Sequence, residues 1–189
     1  MRIILFSLLT VFLLSSCNHD DYSPKPRGYF RIQFPRHSYK PFTPQECPFS
    51  FDVPETALMI PDTNSVSHPC WYYMLMPKLN GQLYLTYEPV NGNLRELMET
   101  TRTLVYKHTS RASSIDERLV SFSKGVYGVL YDIGGDAASP SQFFVTDSAN
   151  HFLRGALYFN AEPNSDSIAP SISYAKEDIE HMLKSLKWK

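Results

Sequence analysis

The sequence predicts an α+β domain in which a mainly antiparallel β-sheet is packed by two main helices. Much of the chain consists of short segments in which apolar and polar residues alternate, as in strands that bury one face. Two longer segments instead carry apolar residues at helical spacing, one after Asn93 and one at the C-terminal end. The strands follow one another directly, with a helix after each run of strands. This order favours an antiparallel sheet with segregated helices.

The N-terminal segment has the features of a bacterial lipoprotein signal peptide. Behind a basic start, an apolar run extends from Ile3 to Leu14 and is too short to cross a bilayer, which takes about 20 residues. The run closes on Leu14-Ser15-Ser16-Cys17, which has the form of a lipobox. We therefore predict cleavage before Cys17 and lipidation of that residue. An ordinary signal peptide, or a free cysteine after one, is the alternative.

This interpretation divides the chain into three parts. Residues 1–16 form the signal peptide, residues 17–27 a lipidated tether and residues 28–189 one globular α+β domain. Two or more acyl chains hold a protein stably on a membrane, so the lipid anchor is its membrane contact. Asn18 follows the cysteine in place of aspartate, which by similarity to Gram-negative lipoprotein sorting favours the outer membrane, facing the periplasm.

Composition limits the classes of function. Hydrophobic residues make up 43% of the chain and aromatic residues 14%, which is typical of a folded domain. The formal net charge is −1. Because no basic excess is present to neutralise phosphates, nucleic acid is not expected as a partner.

Two of the three cysteines remain after Cys17 is assigned to lipid. Cys47 and Cys70 form an even pair in an oxidising compartment, which favours a disulfide between them. Two buried thiols are the alternative.

The strands follow from alternation and from turn residues. Four prolines, Pro35, Pro41, Pro44 and Pro48, prevent a central strand and favour an extended segment. Cys70 to Met76 is continuously apolar, as in a central strand covered on both faces. Asn80-Gly81 is a hairpin signal, and Ser123 to Gly125 is a second turn. The predicted strands cover residues 28–34, 49–53, 57–60, 70–76, 82–88, 115–122, 126–133, 142–147 and 152–159.

The two helices are predicted from apolar spacing and from charge. The first is expected from Asn93 to about His108, with Asn93 and Glu96 in a capping box. The second is expected from Tyr174 to Lys187, after a polar loop over residues 161–170. Its acidic residues come early and its lysines late, which complements the helix dipole.

Residues with catalytic chemistry do not form a known pattern. None of the six histidines belongs to a dense metal-binding spacing, and no metal or other cofactor is predicted. Glu177 and His181 stand four residues apart on the last helix, where a solvated face is favoured over a shared metal. No nucleophile elbow, phosphate-binding glycine loop or Cys-x-x-Cys is present. We therefore do not expect an enzyme.

Two tripeptides, Asp147-Ser148-Ala149 and Asp166-Ser167-Ile168, resemble the O-glycosylation sites of exported Bacteroidetes proteins. Both are predicted in loops, so Ser148 and Ser167 are candidate glycosylation sites. A plain turn around the aspartate is the alternative.

The segment from Tyr22 to Ile32, YSPKPRGYFRI, carries the most specific resemblance. Together with the lipobox, with CPFSF from Cys47 and with PCW from Pro69, it resembles the gliding motility lipoprotein GldD family over essentially the whole mature chain. The element order is also similar to the PsbP-like sandwich, whose late helix ends in a sequence like Ser185-Leu186-Lys187-Trp188.

The resemblance implies a cell-envelope lipoprotein of Bacteroidetes, required for gliding motility and accessory to the type IX secretion system. The family has no known catalytic residues, so none is transferred to this chain. The expected partners are proteins of the gliding and secretion machinery, and the expected modification of Cys17 is palmitate.

A candidate contact surface lies at the start of the domain, where Lys25, Arg27 and Arg31 interleave with Tyr29. Arginine and tyrosine favour interface cores. The alternative is an edge strand protected by charge.

Two other functions remain open at this stage. One is a ligand-binding envelope lipoprotein with a pocket lined by Trp71, Tyr72 and Tyr84. The other is an envelope hydrolase, for which converging carboxylates or histidines would be needed.

Overall fold

The protein is described from a computed structural model, which covers residues 32–65, 68–122 and 125–189. Two antiparallel sheets and two α-helices make up one α+β domain, as the sequence predicts. The predicted strand over residues 28–34 lies partly outside the described residues. Its described part, Ile32 to Phe34, is not a strand. This segment packs against the last helix, where the Phe34 ring stacks on Tyr174.

The small sheet has the order β1-β2-β10, with β1 at Tyr39–Phe42, β2 at Phe49–Pro54 and β10 at Lys187–Trp188. β2 is central and buries Phe49, Phe51 and Val53. The proline-rich segment contributes only the edge strand β1, as its prolines require. The C-terminal SLKW sequence ends the last helix and returns the chain to β2.

The large sheet has seven strands in the order β3-β4-β5-β9-β8-β7-β6, and all neighbours are antiparallel. The strands are β3 Leu58–Pro61, β4 Tyr72–Met76, β5 Gly81–Pro89, β6 Ala112–Ser121, β7 Tyr127–Gly135, β8 Ser141–Thr146 and β9 His151–Phe159.

Asn80-Gly81 lies in the β4–β5 hairpin as predicted. A short 3-10 turn, Pro77–Leu79, follows β4, and Asn80 then adopts a left-handed conformation with φ of 51°. Gly81 is already paired with Met76.

β4 differs from the predicted central strand. Met74 and Met76 are buried on one face, but Tyr73 and Leu75 on the other face are half-buried. β4 is central in the sheet, between β3 and β5, but the predicted cover on both faces was wrong. No helix among the described elements covers this face of β4, whose aromatic residues line an open groove. A continuous apolar run does not distinguish a covered face from such a groove.

Helix α1, Leu94–Tyr106, begins after Asn93 and is followed by a 3-10 turn over Lys107–Ser110. The predicted capping box does not form. The Asn93 side chain makes no cap hydrogen bond, because its Oδ1 accepts the backbone N–H of Asn91 at 2.9 Å.

Helix α2, Ser165–Ser185, begins nine residues before the predicted start and contains Pro170. Most of the predicted polar loop is therefore helical. Asn164 caps the helix by accepting the N–H of Ser167. The proline and polar residues of the first turns conceal this start, since a proline inside a helix removes a backbone hydrogen bond.

Two apolar cores lie on opposite faces of the large sheet. The larger core lies between the inner face, α2 and the small sheet, and includes Phe49, Phe143, Leu157 and Met182. The smaller core packs α1 on the outer face through Val105, with residues of β7, β8 and β9. The outer face of β4 and β5 has no covering helix among the described elements.

Candidate functional site: an aromatic groove on the outer sheet face

The groove is built by side-chain alternation on three neighbouring strands. Every second residue of β4, β5 and β9 points to the outer face, which α1 leaves open there. The resulting cavity has a volume of about 870 Å³. Residues that line it include Tyr73 and Leu75 from β4, Gln82, Tyr84 and Thr86 from β5, and Arg154, Ala156 and Tyr158 from β9, together with Trp71 and Asp62.

Three tyrosines cross the groove from strand to strand and form what we call the tyrosine ladder: Tyr73, Tyr84 and Tyr158. The ring centroids of Tyr73 and Tyr84 are 4.9 Å apart at an interplanar angle of 88°. Those of Tyr84 and Tyr158 are 5.2 Å apart at 85°. Edge-to-face pairs of this kind hold one another in place, so the ladder is a preorganised aromatic surface.

A positive charge lies at the β9 side of the groove. Arg154 donates from Nη2 to Oε1 of Gln142 at 2.9 Å. Arg154 forms no salt bridge within the described ranges. Burial lowers the pKa of the Arg154 guanidinium, although an arginine stays protonated at neutral pH.

Two buried donors beside this charge lack a partner in the part of the chain that the structure describes: Nε of Arg154 and Nε2 of Gln142. Gln142 is 1% exposed. His108, in the turn after α1, interacts electrostatically with Arg154. Burial first, and then repulsion by Arg154, lower the pKa of His108.

The β4 side of the groove carries the opposite charge. Asp62 accepts hydrogen bonds from the hydroxyl of Ser65 at 2.9 Å and from the N–H of Asn64 at 3.0 Å. Desolvation raises the pKa of Asp62, but hydrogen bonds from Tyr73 and Ser65 outweigh it, and the net pKa lies below its usual value. The groove is therefore negative at one rim and positive at the other.

A second polar cluster, the N-terminal clasp, joins the first described residues to α2 and consists of His37, Tyr39, Glu177 and Asp178. Nδ1 of His37 lies 2.7 Å from Oδ1 of Asp178, and Nε2 of His37 lies 3.0 Å from Oε2 of Glu177. The Tyr39 hydroxyl donates to Oδ1 of Asp178 at 3.0 Å. Burial, and then the hydrogen bond to Asp178, raise the pKa of Tyr39 well above its usual value.

The clasp shows how the predicted pair Glu177 and His181 is used. Glu177 binds His37, whereas His181 stacks on Tyr39 and lies 3.3 Å from Oδ2 of Asp52. The two residues therefore have separate partners, and their side chains remain 66% and 39% exposed, in agreement with the predicted solvated face. Within the described ranges, no group of three or more His, Cys, Asp or Glu residues could hold a metal ion.

The predicted cysteine pair is a disulfide in the structure. Cys47 and Cys70 are buried and joined, with their Cα atoms 5.6 Å apart. The bridge connects the chain just before β2 to the chain just before β4, so it links the two sheets.

The remaining predicted site residues fall into two groups. Cys17, Lys25, Arg27, Tyr29 and Arg31 lie outside the described residues. Of the candidate glycosylation sites, Ser148 is exposed in the β8–β9 turn with φ of 69°.

Ser167 is exposed but lies in the first turn of α2, not in a loop as predicted. Its hydroxyl donates to the carbonyl of Asn164. Glycosylation of Ser148 and of Ser167 stays a prediction.

The sequence identified part of the groove. Trp71, Tyr72 and Tyr84, named as a candidate pocket lining, all line the cavity. Arg154 and Tyr158 were missed. An arginine in the middle of the otherwise apolar segment 152–159 was the available signal, but its position beside β5 depends on strand order.

The geometry defines a class: an α+β sandwich domain of the PsbP-like type with an open aromatic groove. Its fold is similar to that of cyanobacterial PsbP (CyanoP) from Synechocystis sp. PCC 6803, with a TM-score of 0.50 and 9% sequence identity over 81% of this chain and 94% of that one. At this identity the similarity concerns the fold alone. No curated protein matches the chain.

The model of the gliding motility lipoprotein GldD family matches residues 19–188, which is nearly the full chain. The protein belongs to this family and is a gliding motility lipoprotein. GldD is not a known enzyme family. None of the described helices is both long and apolar enough to span a membrane.

Proposed function

We propose that this protein is a non-enzymatic accessory component of the gliding and type IX secretion machinery that holds protein partners at the envelope. A lipid on Cys17 anchors it, in the outer membrane and facing the periplasm. The observation that carries the proposal is the family match, which begins at residue 19, two positions after the lipobox cysteine. Asp20-Asp21 resembles a surface-export tag, but a solvated linker accounts for it equally well.

The clasp supports a role in positioning partners. Tyr174 stacks on Phe34 and on His37, with centroid distances of 4.8 and 4.2 Å, and its hydroxyl donates to the carbonyl of Pro35. The first described residues are therefore held on α2. A contact surface formed by Lys25, Arg27, Tyr29 and Arg31 would lie a few residues before this fixed point.

Crosslinking and affinity purification of the lipidated protein from intact envelopes test the proposal. We expect recovery of motility or secretion subunits with the wild-type protein. We expect their loss, with normal amounts of folded protein, in the double variant Arg27→Glu, Arg31→Glu. The matched control is Arg95→Glu with Arg111→Glu, which makes the same charge change at two exposed arginines outside the segment.

Two results would contradict parts of the proposal. Normal spreading and normal cargo secretion by the Arg27→Glu, Arg31→Glu strain would overturn the contact surface. A mature protein without palmitate in metabolic labelling would overturn the membrane anchor, since Cys17 would then not hold the domain.

The groove favours a second candidate function, ligand binding by the same lipoprotein. Its volume falls in the range of about 300–1,000 Å³ that is typical of ligand pockets. Tyr84→Lys tests this candidate, because it places a charged chain in the middle of the tyrosine ladder. We expect a folded protein that fails to support gliding if the groove is used. Unchanged gliding in the Tyr84→Lys strain would show that gliding does not depend on the groove.

A further inference from the structure

The ligand class of the groove follows from its charge pattern, and this step rests on ligand binding as the second candidate function. Arg154 is a half-buried cation without a carboxylate partner in the described ranges. Taking a charge out of water is costly unless it is paired or hydrogen-bonded. The structure compensates Arg154 with one neutral side chain, the Gln142 amide.

The unpartnered donors beside Arg154 also favour an anionic ligand. Nε of Arg154 and Nε2 of Gln142 are both buried and have no acceptor in the described ranges, and a buried donor left unsatisfied destabilises the fold. Arg154 lines the groove whereas Gln142 does not, so an anion in the groove would pair the guanidinium of Arg154.

The orientation of the ligand follows from the two rims. Asp62 at the β4 side repels an anion, so the anionic group belongs at β9. Neighbouring strands are about 4.8 Å apart, which separates β4 from β9 by roughly 10 Å. The tyrosine ladder occupies this distance with apolar ring surface.

We propose that the groove binds a small amphipathic organic acid, with its carboxylate at Arg154 and its apolar body along the tyrosine ladder. The ligand pairs the charge of Arg154 and covers rings that the domain leaves open to solvent. An uncharged molecule of the same shape would leave Arg154 unpaired and bind more weakly.

Two probes that differ only in charge test the proposal: 4-phenylbutyrate and its amide, 4-phenylbutyramide. Binding to the full-length protein in detergent can be followed by NMR through the indole N–H resonances of its two tryptophans. Trp71 lines the groove. Trp188 is not among the groove residues; it stacks on His151 and donates to the carbonyl of Gly125, so it serves as the internal reference.

We expect the Trp71 resonance to shift with the acid while Trp188 stays in place, and the acid to bind about tenfold more tightly than the amide, as for one charged hydrogen-bonded pair. Arg154→Met should abolish this preference, and Arg154→Lys should keep part of it. Arg95→Met, at an exposed position on α1, is the matched control and should keep all of it.

Equal affinity for acid and amide would overturn the carboxylate assignment while leaving the groove as a binding site. Failure of both probes to move the Trp71 resonance would overturn this inference and the ligand-binding candidate together. If Arg154→Met does not fold, the comparison of acid and amide on the wild-type protein decides the question.

Discussion

Asp147 shows at the residue scale how one carboxylate holds a turn. Its Oδ1 accepts the backbone N–H groups of Ala149, Asn150 and His151 at 2.8 to 2.9 Å. Ser148, between Asp147 and Ala149, adopts a left-handed conformation. Burial raises the pKa of Asp147, but the three backbone donors outweigh it and the net pKa lies below its usual value.

Asp147→Ala should lower the free energy of unfolding by about 1–3 kcal/mol, because it leaves backbone donors without an acceptor. Since the folded pKa is depressed, the charge contributes stability above the unfolded pKa, near pH 4, and this is lost as the pH falls through the folded value. Urea unfolding at several pH values measures both effects. Asp147→Asn is the control and should lose less stability on acidification than the wild type.

His37 lies at the centre of the clasp. His37→Phe keeps a ring to stack on Tyr174 but removes both contacts to Asp178 and Glu177. Asp178 is 2% exposed, so it would keep a buried carboxylate with one partner fewer. We expect a loss of about 2 kcal/mol, typical of a hydrogen bond to a charged group.

Limited proteolysis provides the second readout, with faster cleavage in residues 32–38. Tyr39→Phe, which removes a single hydrogen bond to Asp178, should show a smaller effect. Cleavage of His37→Phe at the wild-type rate would mean that the clasp does not hold the segment.

At the element scale, the contact between β8 and β9 requires a glycine at position 155. A Cβ at Gly155 would lie 2.1 Å from the Phe143 ring, which is fully buried in the main core. Neither residue can move easily, because both strands lie inside the seven-stranded sheet.

Gly155→Ala should therefore destabilise the domain by about 1–3 kcal/mol through overpacking. The double variant Gly155→Ala, Phe143→Leu removes the clashing ring. A double-mutant cycle from urea unfolding should give a favourable coupling between the two changes. Additive losses would show that the clash is not the cause.

Helix α2 illustrates what local pattern misses. Its C-terminal half has a clear apolar stripe, and residues such as Ile179 and Met182 were predicted and are buried. Its first turns contain a proline and polar residues, which in isolation favour a loop. Tertiary packing outweighs this local preference, since Ser171 and Ala175 are buried in the same helix.

For the whole molecule, the disulfide is the covalent link between the two sheets. Its cysteines are 23 positions apart, which in the chain-entropy model corresponds to about 3.5 kcal/mol. Cys47→Ser with Cys70→Ser should lower the urea midpoint accordingly, and the reduced wild-type protein should behave like the variant. An unchanged midpoint after reduction would show that the bridge adds no stability.

The sequence alone was sufficient for the strand alternation, the β4–β5 and β8–β9 hairpins, the cysteine pair and the α+β class, because each depends on local periodicity or on a short motif. It also indicated three residues of the groove. The sequence could not show that Arg154 lies next to β5, because β5 and β9 are far apart in the chain and pair only in the folded sheet.

Tertiary structure alone decided that the groove exists. Helix α1 has 13 residues and is roughly 20 Å long and 10 Å wide, so it covers two or three strands. Seven strands at about 4.8 Å spacing span roughly 29 Å. One helix cannot cover that face, and its packing on β7, β8 and β9 leaves β4 and β5 open. Which strands stay open depends on where the helix docks, and no local pattern in the chain records that.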